Sequence, residues 1–332
     1  MQPINYRMHF QEAVLDLLWA QWTSLGAPGN SVPYSKAVID PEALILFTCT
    51  LGRNDPRVFD AMMSWISRYQ KSLNAGRLKR MLSQRKLEGG KVFSAVLEAL
   101  SLTEPKWNSI LSQPMSEVSE PLYHYGNPIA GQEDPVFFSR GYLRPTVEIT
   151  QDIYNFNPMS PSNLIMTLRA VFGVNSRSEV LTYLLTNTEA NSRRIALDTY
   201  FLPKTIYNTL LEMEMSGRLR KRIQGRAALY SLKDTFWKQE FLRDKADVMW
   251  FNWPLIFRIL ERIWKVLAKL EEMELDSIDR AAEAILLFNK IEDDLNYTFP
   301  LFMLSNDLNL TPDETAFPEF YSFLNKLLIY MS

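Results

Sequence analysis

Residues 203–232 read PKTIYNTLLEMEMSGRLRKRIQGRAALYSL, and the fold of the middle of the chain is predicted from this segment. Pro203 suits the first position of a helix, and Gly217 suits its end. A basic strand follows, in which Leu219, Lys221 and Ile223 alternate with Arg220 and Arg222, so one face is expected to be wet and basic and Ile223 to point inward. A tight turn at 224–226 then leads to a second strand that returns to Leu232. The pattern predicts a helix followed by a β-hairpin.

Further helices are predicted directly before this stretch. Apolar spacing indicates a helix at Asn163–Phe172, a second helix capped by Ser176 and a short third helix at Asn191–Leu197. A turn at Thr199–Leu202 joins the third helix to the next one. Helices joined by a short turn and followed by a basic hairpin predict a winged helix-turn-helix over residues 163–233.

The winged-helix prediction also indicates which residues are expected to contact double-stranded DNA. The second helix of a helix-turn-helix enters the major groove, and its early solvent-facing residues touch base edges. In this sequence those residues are Lys204, Thr205, Tyr207 and Asn208. The hairpin offers cations for phosphates or for a minor groove, namely Arg220, Lys221, Arg222 and Arg226. Two more arginines are expected near the DNA backbone, Arg193 and Arg194.

The segments Thr205–Glu214, Ser216–Leu219, Gly225-Arg226 and Tyr230–Leu232 together resemble the winged-helix regulators of the ArsR and MarR type. In those proteins a recognition helix and a glycine precede a basic strand, a Gly-Arg wing tip and a Tyr-x-Leu strand. The resemblance covers about 70 of the 332 residues and implies a DNA-binding fold. The chain departs from the pattern in two ways. Its single cysteine cannot form the cysteine pair of many ArsR metal sensors, and its flanking regions are much larger.

Charge is segregated along the chain, although the formal net charge is only −2. Residues 1–160 are balanced, with 15 basic and 15 acidic side chains. Residues 161–245 carry 14 basic and 8 acidic side chains, whereas residues 246–332 carry 7 basic and 15 acidic ones. A site for a polyanion is therefore expected in the middle of the chain.

The fold class is expected to be mainly α. Stretches rich in Leu, Met, Glu, Lys and Arg at helical spacing, with only 12 glycines, favour helices. Four segments are predicted: an N-terminal helical domain (1–100), a proline-rich ordered connector (101–160), the winged helix-turn-helix domain (161–240) and an acidic C-terminal helical bundle (246–332). Helices outside the middle are predicted at Phe10–Leu25, Pro41–Gly52, Arg57–Gln70, Ala75–Ser83, Lys91–Leu100, Val248–Glu274, Ser277–Leu295 and Phe317–Tyr330. Short strands are predicted in the connector near Val136–Phe138 and Val147–Ile149.

A second basic cluster lies in the N-terminal region. Residues 53–91 contain ten basic side chains and three acidic ones. A possible second basic surface for DNA is formed by Arg77, Lys79 and Arg80. The alternative is that this short helix is simply charged and exposed.

Sequence signatures of enzymes are missing. The chain has no P-loop, no dinucleotide-binding glycine motif, no zinc-protease motif and no nucleophile elbow. Its two histidines, His9 and His124, are too far apart in the sequence to suggest a triad or a metal site. The consecutive carboxylates of Glu292–Asp294 point in different directions on a helix. The protein is therefore expected not to be an enzyme, and to use no cofactor and no metal.

Compartment and membrane association follow from the apolar residues and the cysteine. No uninterrupted apolar run reaches the roughly 18 residues that span a membrane, and residues 1–11 lack a secretory pattern. The lone Cys49 lies in an apolar run and fits a reducing compartment. A cytoplasmic protein without a membrane partner is expected.

The expected function is that of a homodimeric transcriptional regulator that binds double-stranded DNA. A homodimer is favoured because a single winged helix contacts few bases, and two half-sites multiply specificity. An apolar stripe along Val248–Glu274 either packs within the bundle or pairs with a second copy. Two alternatives are a winged-helix scaffold that binds protein and an accessory subunit that positions DNA in a larger assembly. The sequence indicates no effector.

Overall fold

Helices make up most of the described chain, which confirms the prediction of a mainly α protein. The computed structural model describes residues 5–29, 31–85, 87–111, 119–123, 133–146, 149, 152–233, 235–242, 248–273, 275–306 and 308–332. None of the helices in these ranges combines the length and the apolar character needed to cross a membrane.

The N-terminal helices begin where the sequence provides caps. The carboxylates of Asp40 and Asp55 accept backbone N–H groups of the first helical turn, and a proline follows each of them. One helix is shorter than predicted, because it ends at Thr48 and a 3₁₀ turn then occupies Leu51–Asn54. The helices of this region are α1 (Tyr6–Ser24), α2 (Pro41–Thr48), α3 (Pro56–Tyr69), α4 (Ala75–Arg85) and α5 (Gly90–Ala99).

The connector combines short helices with a pair of short strands. The strand predicted near Val136–Phe138 is wrong. Asp134 caps this segment and Pro135 takes the first helical position, so the segment forms a helix. The strand predicted at Val147–Ile149 lies largely outside the described residues. The described elements are α6 (Asn108–Leu111), β1 (Glu120–Pro121), α7 (Pro135–Ser139) and β2 (Tyr142–Leu143), with β1 parallel to β2.

The middle of the chain forms four helices and a three-stranded sheet. Its elements are α8 (Leu164–Phe172), α9 (Ser176–Thr186), β3 (Ala190–Asn191), α10 (Ser192–Thr199), α11 (Pro203–Met215), β4 (Leu219–Gln224) and β5 (Ala227–Leu232). Strand β5 lies between β3 and β4 and is antiparallel to both. The cap of α9 is Asn175, one residue before the predicted Ser176. Gly217, where α11 ends, has a φ value of 73°, and Gly225, in the hairpin turn, has a φ value of 60°. Glycine adopts such positive φ values without the strain that a side chain would cause.

The C-terminal part is helical, as predicted. A short helix that was not predicted, α12 (Phe236–Leu242), precedes this part, whose elements are α13 (Trp253–Glu272), α14 (Ser277–Thr298), α15 (Pro300–Ser305) and α16 (Ala316–Met331). Helix α13 begins at Trp253, five residues later than predicted, because Asn252 caps it and Pro254 falls in its first turn. The apolar stripe of α13 is buried within the chain, against α1, α2 and α14.

The N-terminal and C-terminal helices share one hydrophobic core. Phe47 of α2 stacks on Phe257 of α13 with ring centroids 4.1 Å apart, and the Tyr34 hydroxyl donates to the Met331 carbonyl oxygen over 2.8 Å. A second, smaller core lies in the middle region and consists mainly of Val180, Tyr183, Leu184, Ile195, Ile206, Leu210, Leu219 and Tyr230. Part of α9, with α10, α11 and the strands, therefore packs around this smaller core, whereas α8 packs into the larger core through Leu164, Ile165, Met166 and Leu168.

Candidate nucleic-acid interface

Helix α11 presents one exposed polar face. The residues proposed to touch base edges are all exposed, namely Lys204, Thr205, Tyr207 and Asn208. Between them Ile206, Thr209 and Leu210 are buried against the smaller core. This separation follows the 3.6-residue period of the helix. The sequence therefore gives α11 one face for packing and one face free for a ligand.

The β4–β5 hairpin extends away from the core. Arg220, Lys221, Arg222 and Arg226 are exposed, as a charged contact surface requires. In β4 the predicted alternation of inward and outward residues holds only at Leu219, which is 5% exposed. Ile223 was expected to point inward and is 65% exposed. Beyond Leu219 the strand has left the core, so both of its faces meet solvent.

The cations of this surface differ in how strongly they are held. Arg222 pairs with Glu189, and Lys221 pairs with Glu214 over 3.4 Å. The neighbouring Tyr230 ring and Glu214 raise the pKa of Lys221, so it stays charged at neutral pH. Within the described chain no ion pair engages Lys204, Arg220 or Arg226. These three cations can pair with an external anion without first breaking an internal pair.

The two arginines of α10 have different surroundings. Arg193 is exposed on the first turn of the helix. Arg194 donates to the Asp198 carboxylate over 2.6 Å, and its guanidinium lies 4.0 Å from the centre of the Tyr297 ring. Arg194 is therefore engaged by Asp198 of its own helix and by the Tyr297 ring of the C-terminal helices, whereas Arg193 is the freer cation near α11.

The turn between α10 and α11 is held from the N-terminal side. Arg77 donates from Nε to the Thr199 carbonyl oxygen over 2.7 Å, and Arg80 donates to the Tyr200 carbonyl oxygen. Tyr200 has a φ of 59°, in the left-handed region that non-glycine residues rarely adopt. The hydrogen bonds to the carbonyl oxygens of Thr199 and Tyr200 thus help to fix a sharp turn before α11.

The prediction that Arg77 belongs to a second basic surface for DNA is wrong. This side chain is 0% exposed, because it pairs with the carboxylates of Asp40 and Glu42 beneath α4. Arg80 is half-buried, and its guanidinium lies 5.3 Å from the centre of the Phe201 ring. Lys79 alone of the three is fully on the surface.

A buried ion-pair network joins the N-terminal helices to the middle region. Glu42 accepts from Arg77 over 2.6 Å and from Arg169 over 2.7 Å, and Arg169 also donates to Glu179. Burial raises the pKa of Glu42, but the charges of Arg169 and Arg77 outweigh it and hold that pKa below its ordinary value. The sequence signal for this network was the isolated charge of Glu42 and that of Arg169, each inside an apolar helix, and sequence reasoning missed it.

A second polar cluster holds the same turn from the C-terminal side. Asp198 is 2% exposed, and its carboxylate accepts from the Tyr183 hydroxyl over 2.8 Å and from the Tyr297 hydroxyl over 2.6 Å. Asn252, the cap of α13, donates to Asp198 and accepts from the Tyr200 hydroxyl over 3.0 Å. The bonds of Asp198 therefore join α9, α10, α13 and α14 next to the base of α11.

Comparison with known proteins gave no match to a family model, to a curated protein or to a solved structure. Among the residues that the structure describes, no group of three or more His, Cys, Asp or Glu side chains is placed to hold a metal ion. The function is therefore inferred from the geometry and charge of the surface formed by α11 and the hairpin.

Proposed function

We propose that residues 163–233 form a winged helix-turn-helix that binds double-stranded DNA. Helix α11 is the helix for the major groove, and the β4–β5 hairpin is the wing. The observation that carries this proposal is one exposed surface on which the polar face of α11 adjoins a hairpin with five basic and no acidic residues between Arg218 and Arg226. A major groove about 12 Å wide admits a helix of this size.

The rigid mounting of α11 supports the same proposal. A helix that reads base edges needs a fixed direction, because side chains discriminate bases only at hydrogen-bonding distance. Arg77 holds the turn before α11 from one flank, and Asn252 holds it from the other. The large flanking regions thus act as a frame that sets the direction of α11.

Within this class, the particular role that we propose is that of a cytoplasmic transcriptional regulator acting as a homodimer. A single α11 covers few base pairs, so two copies on two half-sites supply the specificity that regulation requires. The apolar stripe of α13 is buried within its own chain. A dimer therefore uses a different surface, and sedimentation equilibrium at micromolar concentration tests whether a dimer forms.

Salt dependence of duplex binding tests the proposed DNA interface. Each phosphate contact contributes about −0.9 to the slope of log affinity against log salt. Arg193, Lys204, Arg220 and Arg226 predict a slope of about −3 to −4 for one copy, so affinity falls about a hundredfold between 50 and 200 mM salt. The measurement is fluorescence anisotropy of a labelled 20-base-pair duplex. Absence of binding at 50 mM salt, or a slope near zero, contradicts the proposal.

A second candidate function is the binding of a protein partner by the same face. Apolar side chains favour it, because Leu202 is 56% exposed, Tyr207 47% and Ile223 65%. Protein-binding surfaces are enriched in aromatic residues, and buried apolar contacts depend little on salt. If the chain does not bind duplex DNA at 50 mM salt, this second function is favoured, that of a winged-helix scaffold that binds protein.

A further inference from the structure

A cleft of about 220 Å³ lies on the N-terminal side of the molecule, away from α11 and the hairpin. It opens between the end of α2, the start of α5, the β1–β2 pair and the middle of α13. Its apolar wall includes the rings of Tyr142 and Trp264. Its charged wall consists of Arg53, Glu88, Glu120, Glu261 and Lys265. Sites for small molecules combine apolar and aromatic walls with a few polar groups that fix the orientation of the ligand.

The two cations of the cleft already have partners. Arg53 pairs with Glu120 over 3.3 Å and donates to the carbonyl oxygen of Pro121 over 2.9 Å. Lys265 pairs with Glu88. An anionic ligand would have to break one of these pairs, which disfavours anions in the cleft.

Glu261 is the carboxyl group of the cleft that forms no direct ion pair with a described residue. It is 7% exposed, and one of its oxygens accepts from the Thr50 hydroxyl over 2.7 Å. A buried carboxylate in water-poor surroundings is costly unless a positive charge or further donors accompany it. This missing ion pair indicates what kind of ligand fits the cleft.

We propose that the cleft binds a small organic cation. Its ammonium group pairs with the Glu261 carboxylate, and its apolar part lies beside the rings of Tyr142 and Trp264. The volume lies below the roughly 300 Å³ of sites for drug-sized ligands, so the cleft takes a small amine. Glu88 and Glu120 are engaged by Lys265 and Arg53, and the described residues provide no cluster of ligands for a metal ion.

The protonation of Glu261 makes this binding depend on pH. Burial, with a smaller contribution from nearby Glu88, raises the pKa of Glu261 to about 7 against the lowering effects of Thr50 and Lys265. Burial also raises the pKa of the Cys49 thiol and of the Tyr142 hydroxyl that line the cleft, so both stay neutral between pH 6 and pH 8. A cation selects the ionised form of Glu261, and its affinity is therefore expected to rise about tenfold from pH 6 to pH 8.

Calorimetric titration of the full chain with benzylamine tests the proposal. Benzyl alcohol serves as the uncharged probe of similar shape. We expect saturable benzylamine binding at pH 8, about tenfold weaker binding at pH 6 and no saturable binding of benzyl alcohol. Equal affinity at both pH values, or no saturable binding of benzylamine at pH 8, overturns the proposal, and this arm needs no variant.

The variant Glu261→Gln assigns the binding to one residue. Glutamine keeps an acceptor for the Thr50 hydroxyl and removes the charge. The matched control is Glu272→Gln, the same change at an exposed position of the same helix. Benzylamine affinity is expected to fall at least tenfold in Glu261→Gln and to stay within twofold of the parent in Glu272→Gln. Unchanged affinity in Glu261→Gln places the cation elsewhere and overturns the proposal.

Discussion

The Nε atom of Arg77 lies 2.7 Å from the carbonyl oxygen of Thr199 and donates a hydrogen bond to it. This contact joins α4 of the N-terminal helices to the turn that precedes α11, across 122 residues of sequence. Asp198 makes the complementary connection, because it accepts from Tyr297 of α14 and from Asn252 at the start of α13. The position of α11 is therefore set by residues outside the middle region.

Replacement of Arg77 by methionine is expected to destabilise the protein strongly. Methionine fills part of the volume but leaves the buried carboxylate of Asp40 without its partner. Removing one member of a buried pair typically costs about 3–5 kcal/mol of unfolding free energy. Urea unfolding followed by far-UV circular dichroism measures the loss.

The control for this change is Lys79→Met on the same helix, where the side chain is exposed. A surface substitution of this kind is expected to change the free energy of unfolding by less than about 0.5 kcal/mol. If Arg77→Met unfolds at the same urea concentration as Lys79→Met, the ion-pair network does not stabilise the fold as described.

Tyr297→Phe is expected to weaken the attachment of α14 to the base of α11. The change removes the hydroxyl that donates to the buried Asp198 carboxylate over 2.6 Å. Hydrogen bonds to charged groups contribute about 1.5–3 kcal/mol, so the free energy of unfolding should fall by roughly that amount. Tyr154→Phe, on a side chain that is 68% exposed, is the matched control. Equal stability of the two variants would contradict the role given to Tyr297.

Local sequence signals predicted the secondary structure of the middle region better than that of the rest of the chain. Pro203, Gly217 and the glycine of the hairpin turn are local signals, and α11 and the β4–β5 hairpin lie where these signals place them. The exposure of the polar face of α11 also followed from helical spacing. Local signals suffice here because a proline, a cap or a positive φ acts within a few residues.

The partners of charged residues could not be predicted in the same way. Arg77 stands in a basic run, and nothing within its own helix shows that Asp40 and Glu42 lie beneath it. The outward position of Ile223 was missed for a similar reason, since strand alternation has meaning only while the strand covers a core. Long-range packing decided both features.

The contribution of Glu261 to the stability of the protein is expected to fall as pH rises from about 4.5 to about 7. Burial raises the pKa of this carboxyl from 4.5 to about 7. The folded chain then binds more protons than the unfolded chain within that window, so the contribution is fully present below it and lost above it. The loss amounts to roughly 3 kcal/mol.

Urea unfolding of Glu261→Gln at pH 5 and pH 8 measures this contribution. The neutral amide removes the titration, so the parent should lose more stability than the variant between the two pH values. Glu272→Gln should behave like the parent, because its side chain is exposed. A variant that loses as much stability as the parent would show that Glu261 does not titrate in this range.

Arg226→Ala is expected to change the salt dependence of DNA binding more than its sequence preference. Arg226 lies at the tip of the hairpin and is exposed, where it can reach a phosphate. The slope of log affinity against log salt should become less negative by about 0.9. Lys326→Ala, which removes one exposed charge from α16, should leave the slope unchanged. Equal slopes for the two variants would remove the hairpin tip from the DNA contact.

Duplex affinity of the triple variant Lys204→Ala, Asn208→Ala and Arg226→Ala tests the DNA interface most directly. The control carries Lys290→Ala, Asn325→Ala and Lys326→Ala, which remove the same two charges and one amide from exposed positions of the C-terminal helices. At 50 mM salt we expect the first variant to bind about a hundredfold more weakly than the parent, because phosphate and base contacts are lost together. The control should bind within about twofold of the parent. Parent-like affinity in the first variant would contradict the proposal that α11 and the hairpin bind DNA.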